Sequence, residues 1–196
     1  MTDAAPAPEH AGFDAPLRID WLEAAELGSA GGRLGLTFLP GKRGASVRYP
    51  GHVYRRDTAT DLAAMRRMGV VRLILLVEDG ELVRWGDPGL VARARAVGLD
   101  VRRHPIADGT APRSAAIMDA ILADVTDARA RGDVAVACMG GVGRSGMVAA
   151  CALVRAGLAP AAAIRRVRDV RHPTAVETRQ QEEFVAAYAD RAATSA

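Results

Sequence analysis

The chain has 196 residues, of which 49% are apolar and 25% charged, and its formal net charge is +3. This is the composition of a soluble globular protein with an ample core, and no apolar run approaches the roughly 20 residues that cross a bilayer. The small, dispersed positive charge does not indicate nucleic-acid binding. We therefore expect neither membrane nor nucleic acid as a partner. Since no basic-then-apolar leader pattern occurs at the N-terminus, we expect a cytoplasmic location.

The first part of the chain is organised by turns and short apolar runs. Residues 1–16 are rich in Ala and Pro and predict a disordered tail, which leaves 17–196 as one domain. Strand patterns follow at 17–22 and 35–39, on either side of a glycine-rich turn. Residues 40–44 are then predicted to form a loop.

Apolar runs alternate with helical patterns over the rest of the chain. The run 70–77 is apolar on both faces apart from Arg72, which is typical of a central strand covered on both sides. Further strands are predicted at 100–106 and 134–138. A helix capped by Asp57 or Thr58 is predicted to run to Met68, and further helices at 88–97, from about 117 to Gly132, and at 145–156, 160–170 and 175–190. This alternation predicts an α/β fold with a central, largely parallel sheet of four to five strands flanked by helices.

A glycine-rich turn joins the strand 134–138 to the helix that follows it. Its sequence is Cys138-Met-Gly-Gly-Val-Gly-Arg-Ser-Gly146. Glycine lets successive backbone N–H groups converge, and the helix dipole adds partial positive charge at the same point. We therefore predict an anion-binding loop, here called the cradle loop, made of Met139, Gly140, Gly141, Val142 and Gly143.

Two side chains give the cradle loop a chemistry. Cys138 stands at its entrance and Arg144 at its exit, with five residues between them. A thiol that faces N–H donors and a guanidinium ionises more readily than a free cysteine. A guanidinium fork holds two oxygens of a tetrahedral oxyanion. The pattern predicts a bound phosphate, or a similar oxyanion, with a thiolate nucleophile directed at its phosphorus.

An acid for the leaving oxygen is expected on the loop after strand 100–106. Asp108 follows this strand at the carboxyl end of the predicted sheet, where the ligands of open α/β sheets gather. A carboxyl group there can protonate the leaving oxygen of a phosphate ester. A turn-forming Asp before Gly109 is the alternative interpretation of the same residue.

These residues carry a family resemblance. Cys138, the five-residue spacing and Arg144-Ser-Gly resemble the signature loop of the cysteine-dependent protein-tyrosine and dual-specificity phosphatases. The resemblance extends to the kinase-associated (cyclin-dependent-kinase-inhibitor) phosphatase branch, through His104-Pro-Ile-Ala-Asp-Gly109, Leu39-Pro-Gly41 and Gly80-Glu-Leu82. It covers roughly residues 35–188.

The resemblance implies a role for each site residue. Cys138 would be the nucleophile, Arg144 the phosphate clamp and Asp108 the general acid. Ser145 would help the thiolate to leave in the second step. Asp108 would then act as base for the water that hydrolyses the phosphocysteine, and Gln181 would help to position this water.

Two positions depart from the pattern of this branch. Glu177 replaces the first of two glutamines that position the water in the family, and Thr174-x-x-Glu177 also predicts a capping box at the start of the last helix. Ala137 stands where the family usually has a histidine that orders the loop. Because alanine cannot donate that hydrogen bond, we expect a slower or more alkaline enzyme.

The implied function is hydrolysis of phosphotyrosine, with phosphoserine and phosphothreonine as further substrates, in a phosphorylated protein or peptide. A phosphate-binding interaction module with little turnover stays open as an alternative, favoured by Ala137 and Glu177. A phosphatase of phosphoinositides or small phosphoesters ranks lower, since the neutral Met139 and Val142 cannot offset extra phosphates. No metal or other cofactor is expected, since no cluster of His, Cys and carboxylates has ligand spacing.

Two further features concern arginine and cysteine. Arg165, Arg166, Arg168 and Arg171 form a basic run, for which a solvated helix face is the favoured interpretation and a docking patch for an acidic partner the alternative. Cys151 lies about 20 Å beyond Cys138 along the predicted helix, too far for a disulfide. We expect it to be a core thiol.

Overall fold

The computed structural model describes residues 16–28, 31–46 and 50–194, with side chains as far as residue 191. The predicted tail, residues 1–16, lies outside the described residues except for Pro16. Within the described ranges, no helix combines the length and the apolar character needed to span a bilayer.

A central sheet organises the chain. The strands are β1 (Asp20–Leu22), β2 (Leu34–Phe38), β3 (Arg43–Ala45), β4 (Val53–Arg55), β5 (Val70–Leu75), β6 (Asp100–Arg103) and β7 (Asp133–Cys138). In the part of the chain that the structure describes, five of them form one sheet in the order β1–β2–β7–β5–β6. β1 runs antiparallel to β2, and the other neighbours are parallel. The predicted α/β fold with a largely parallel sheet is confirmed.

Helices connect the strands and cover both faces of the sheet. They are α1 (Thr58–Arg67), α2 (Asp79–Trp85), α3 (Leu90–Ala96), α4 (Ala115–Arg129), α5 (Arg144–Arg155), α6 (Pro160–Val170) and α7 (Arg179–Thr194), with a short 3₁₀ helix at Ala24–Leu27. The sequence did not predict α2, and α7 begins four residues later than expected.

The loop predicted at 40–44 is partly wrong. Arg43 and Gly44 belong to β3, which pairs with β4 in a separate antiparallel hairpin. Each of these strands has three residues, so neither carries the alternation that identifies a strand from sequence. The hairpin is defined by hydrogen bonding between the two strands, which the periodicity of apolar residues does not predict.

The alternating side chains of β5 show how the sheet is covered. Leu73 and Leu75 enter one apolar cluster, whereas Ile74 enters another on the opposite side. All three side chains are fully buried. Since successive strand residues point to opposite faces, both faces of β5 are packed against helices. The carboxyl edge of the sheet is left for the connecting loops.

The register of the sheet puts the cradle loop at the middle of this edge. β7 lies between β2 and β5, and Cys138 is the register partner of Phe38. Parallel strands end at the same edge, so the segments that follow β2, β5 and β6 all emerge beside the cradle loop.

A buried ion pair fastens the segment after β2 to α1. The side chains of Arg56 and Asp61 are 5% and 2% exposed, and Arg56 donates to both carboxylate oxygens at 2.6 and 2.9 Å. The backbone N–H of Gly41 donates to Oδ2 of Asp61 at 2.8 Å. One carboxylate therefore holds both the hairpin and the turn that leads into it.

Asp61→Asn tests this pair. The amide removes the carboxylate charge that is paired with the buried guanidinium of Arg56, so we expect the free energy of unfolding to fall by about 3 kcal/mol. Urea unfolding measures the change. Glu183→Gln, which breaks the exposed pair with Arg179, is the control and should cost at most about 0.5 kcal/mol. A loss below about 1 kcal/mol for Asp61→Asn would contradict the assignment.

Candidate active site

The sulfur of Cys138 lies at the floor of the cradle loop. Cys138 is buried at the end of β7, and its Sγ accepts a hydrogen bond from the backbone N–H of Gly141 at 3.2 Å. Ser145 Oγ lies 3.2 Å from the same sulfur. Since α5 begins at Arg144, its N-terminal N–H groups and dipole add positive potential here. The surroundings of the sulfur favour negative charge.

The cradle loop depends on glycine at position 141. Gly141 has φ +70°, which L side chains rarely adopt. A Cβ there would also lie 2.4 Å from the carbonyl carbon of Thr37 on β2. The chain passes too close to β2 for any side chain at position 141.

The two predicted phosphate-binding residues that carry side chains are packed against the protein interior. Val142 is buried in the core, and Met139 packs against the cluster beside α1 and α3.

A carboxylate holds Arg144 in place. Glu81 on α2 accepts from Nη1 and Nη2 of Arg144, both at 2.7 Å. The carbonyl of Ile106 accepts a further bond from Nη1 at 2.9 Å. The side chain of Arg144 is only 1% exposed, and none of the described residues bonds its Nε. This buried donor fits an oxyanion in the loop.

The charge of Arg144 is secure in spite of its burial. Burial by itself disfavours the charged form, but the hydrogen bond to Glu81 outweighs it, together with the charges of Cys138, Glu81 and Asp108. The net effect raises the pKa of Arg144. The guanidinium therefore remains a cation throughout the working pH range.

Asp108 contacts the same guanidinium. Its Oδ1 lies 2.7 Å from Nη2 of Arg144, while its side chain is 74% exposed. It sits in a tight turn, here called the acid turn (residues 107–110), where Thr110 N–H donates to the carbonyl of Ala107 at 3.1 Å. Asp108 therefore is a turn residue, as the alternative interpretation expects, and it also contacts Arg144 at the exit of the cradle loop.

Helix α7 anchors the acid turn. Thr178 Oγ1 donates to the carbonyl of Gly109 at 2.9 Å, and Gln181 Nε2 donates to that of Thr110 at 3.1 Å. The amide oxygen of Gln181 accepts from the N–H of Glu177 at 3.0 Å. Gln181 is fully buried between these partners. It thus fixes the acid turn relative to the start of α7.

The predicted capping box at Thr174 and Glu177 is wrong. α7 begins at Arg179, and Thr178 Oγ1 accepts from the N–H of Gln181 at 3.2 Å, so Thr178 is the cap. The side chain of Glu177 instead lies against the cradle loop, where its Oε2 is 2.5 Å from the place that a Cβ on Gly143 would occupy. The substituted position of the family pattern therefore lies at the site itself.

The basic run is a solvated face only in part: Arg165 is exposed as expected, whereas the other three arginines have partners within the protein. Arg166 pairs with Glu26 at 2.5 Å, and Arg168 pairs with Glu182 at 2.5 Å. Arg171 reaches the cradle loop and donates to the carbonyl of Gly141 at 2.8 Å. The sequence missed Arg171 as a site residue because nothing local distinguishes it from the other arginines. Glu81 was also missed, although it lies in the Gly80-Glu-Leu82 match.

The remaining cysteine and the substituted histidine position are both buried. Cys151 is a free thiol on α5, and burial raises its pKa. Ala137 is fully buried in the cluster beside α1 and α3. A histidine at this position would have to enter a packed core.

Comparisons with known proteins agree with this geometry. The family model of cyclin-dependent kinase inhibitor 3 matches residues 3–164. Human cyclin-dependent kinase inhibitor 3 is 29% identical over 180 residues, which are 91% of this chain and 81% of the human protein. The crystal structure of kinase associated phosphatase, with its catalytic-site cysteine replaced by serine, superposes with a TM-score of 0.79 at 28% identity. That match covers 92% of this chain and 98% of the other. Tk-PTP in its active form gives 0.66 at 30% identity, over 82% and 93% of the two chains.

Glu81→Gln tests the clamp on Arg144. The amide keeps at most part of the bidentate contact and removes its charge, so the guanidinium loses its fixed orientation. We expect kcat/KM for p-nitrophenyl phosphate to fall roughly 10- to 100-fold and vanadate to inhibit less strongly.

Asp79→Asn is the matched control, because Asp79 is on the same helix but is exposed and pairs with Arg103. It should leave both quantities within about twofold of the wild-type values. If Glu81→Gln behaves like the control, the clamp has no role in binding or turnover.

Proposed function

The chain belongs to the cyclin-dependent kinase inhibitor 3 family and is a dual-specificity protein phosphatase, and we propose that it works through a phosphocysteine intermediate on Cys138. One observation carries the proposal. The sulfur of Cys138 meets the Gly141 N–H and the Ser145 hydroxyl within 3.2 Å, on the loop whose far end carries the fixed guanidinium of Arg144. This arrangement joins a nucleophile to an oxyanion site.

The first step transfers the phosphoryl group to sulfur. The thiolate of Cys138 attacks phosphorus, the S–P bond forms, and the bond between phosphorus and the leaving oxygen breaks. The cradle-loop N–H groups and Arg144 stabilise the charge on the three remaining oxygens. Asp108 gives its proton to the leaving oxygen.

The contact between Asp108 and Arg144 fits this step. A phosphate oxygen that binds Nη2 of Arg144 competes with the Asp108 carboxylate for the same donor. Because the side chain of Asp108 is exposed, it can rotate toward the leaving group once displaced, although the backbone of its turn is anchored. Away from the guanidinium, the carboxylate takes up from solvent the proton that it then donates. Binding of the substrate phosphate to Arg144 would thus displace Asp108 and at the same time make it available to the leaving group.

The second step hydrolyses the phosphocysteine and regenerates the free enzyme. Water attacks the phosphocysteine, Asp108 takes its proton, and the P–S bond breaks with the electron pair going to sulfur. The Ser145 hydroxyl donates to the leaving thiolate, which lowers the cost of its charge. We assign placement of the water to Gln181, with Glu177 beside it at Gly143.

The substrate in this proposal is a phosphorylated protein or peptide that carries phosphotyrosine, with phosphoserine and phosphothreonine as further substrates. Residues 17–196 serve as one phosphatase domain. A cytoplasmic location is part of the same proposal and is checked by cell fractionation with an antibody to the chain.

Cys138→Ser tests the mechanism. Wild type should hydrolyse p-nitrophenyl phosphate and a phosphotyrosine peptide in the presence of a metal chelator, and the variant should show no turnover, because serine is not ionised at neutral pH. Cys151→Ala is the control and should retain activity. A wild-type protein that binds vanadate but turns over neither substrate would favour the interaction-module alternative.

Asp108→Asn tests the acid. A phosphotyrosine peptide has a poor leaving group, so its kcat should fall about 10²- to 10⁴-fold when the proton donor is lost. The nitrophenolate leaving group hardly needs a proton, so p-nitrophenyl phosphate should lose much less. Equal losses on the two substrates would show that Asp108 does not act as the acid.

A further inference from the structure

Successive carbonyl groups of the cradle loop are bound by donors from one segment between α6 and α7, here called the bracing segment (residues 171–176). The carbonyls of Gly140 and Gly141 accept from Nη2 and Nε of Arg171, at 3.1 and 2.8 Å. The carbonyl of Val142 accepts from the backbone N–H of Val176 at 3.2 Å, and also from that of Gly146 on α5 at 3.2 Å. Three consecutive peptide units are therefore held on their oxygen side.

This arrangement decides where the N–H groups point. A trans peptide unit is planar, and its C=O and N–H bonds point in opposite directions. When the bracing segment holds the carbonyls of residues 140–142, the N–H groups of residues 141–143 turn to the other side of the loop. The N–H of Gly141 does point to the sulfur of Cys138, at 3.2 Å. The bracing segment thus sets the donor side of the cradle.

Arg171 is itself fixed by a carboxylate on the sheet. Its Nη1 pairs with Oδ2 of Asp20 on β1 at 2.6 Å, and both side chains are largely buried. On the loop side, a Cβ at Gly141 would lie 2.7 Å from Nη2 of Arg171 and 2.4 Å from the carbonyl carbon of Thr37. Gly141 is therefore packed between Arg171 and β2.

Val176 completes the brace in a strained conformation. Its φ is +62°, a left-handed value that is an outlier for a β-branched residue, and its side chain is buried in the core. Arg168 Nε donates to the carbonyl of the preceding Ala175 at 3.0 Å. The surrounding contacts hold Val176 where its N–H meets the carbonyl of Val142.

We propose that Arg171 is a positioning residue, which sets the anion-binding conformation of the cradle loop through the carbonyls of Gly140 and Gly141. It acts through the backbone, and substrate contacts the opposite side of the same peptide units. Its effect on turnover rests on the proposed function, whereas its effect on oxyanion affinity does not. A fold-stabilising arginine alone would change unfolding without changing affinity in the folded protein.

The test compares Arg171→Met and Arg171→Lys with wild type, using orthovanadate as the probe. Calorimetry gives its Kd, hydrolysis of p-nitrophenyl phosphate gives kcat and KM, and urea unfolding confirms that each variant is folded. We expect Arg171→Met to weaken vanadate binding about tenfold or more and to raise KM in parallel. Lysine replaces one of the two carbonyl bonds, so Arg171→Lys should recover part of the affinity.

Arg166→Met is the matched control. Arg166 lies on α6, five residues before Arg171, and its Nε and Nη2 both donate to the carboxylate of Glu26 on the 3₁₀ helix. It should change unfolding without changing vanadate affinity. A folded Arg171→Met with vanadate affinity within twofold of wild type would overturn the proposal.

Asp20→Asn decides the matter if Arg171→Met does not fold. It removes the carboxylate charge that pairs with Nη1 of Arg171, does not touch the loop, and should weaken vanadate binding about threefold. Arg18→Gln, which removes the ion pair of Asp20 with Arg18, should leave vanadate binding unchanged. Unchanged affinity in Asp20→Asn would overturn the proposal. If the Arg171 variants weaken vanadate binding but the wild type hydrolyses no substrate, the proposed phosphatase mechanism is refuted and the role of Arg171 stands. If the wild type binds no vanadate, both proposals are refuted.

Discussion

A peptide unit cannot direct its N–H and its C=O to the same side, and the site depends on this constraint. A loop that points its N–H groups at an anion must turn its carbonyls the other way, where they meet donors of the protein. In this chain Arg171, Val176 and the N–H of Gly146 on α5 supply those donors. The oxyanion site is thus built from both sides, with the substrate side made by the loop and the rear made by a segment some thirty residues further on.

Two carboxylates balance the charge of Arg144 at the exit of the cradle loop. Glu81 and Asp108 both contact the guanidinium, but they differ in exposure and in the elements that carry them. Glu81 is mostly buried on a helix and makes two bonds, so it is suited to holding the arginine still. Asp108 is exposed on a turn and makes one contact, so it is suited to exchange with phosphate. Glu81 can therefore hold the guanidinium of Arg144 in place while Asp108 gives up its contact to a phosphate oxygen.

The parallel sheet explains why these parts meet. Glu81 follows β5, Asp108 follows β6, and Cys138 ends β7, and the three strands are neighbours whose carboxyl ends share one edge. Helix α7 then adds Thr178 and Gln181, which tie the acid turn down. Residues 63 positions apart in the chain thus form a bidentate pair.

The sequence by itself determined the fold class and the place of the cradle loop between a strand and a helix, because the signals for both are local. Cys138 and Arg144 are fixed by a short spacing around glycines, and the alternation of strands and helices follows from apolar periodicity. Only the tertiary structure decided the partners of these residues. The short β3–β4 hairpin, the grip of Glu81 on Arg144, the cap at Thr178 and the brace by Arg171 each join segments that periodicity does not connect. Their physical reason is pairing across space, so the contact of Arg171 with the cradle loop could not be distinguished in advance from those of the neighbouring arginines.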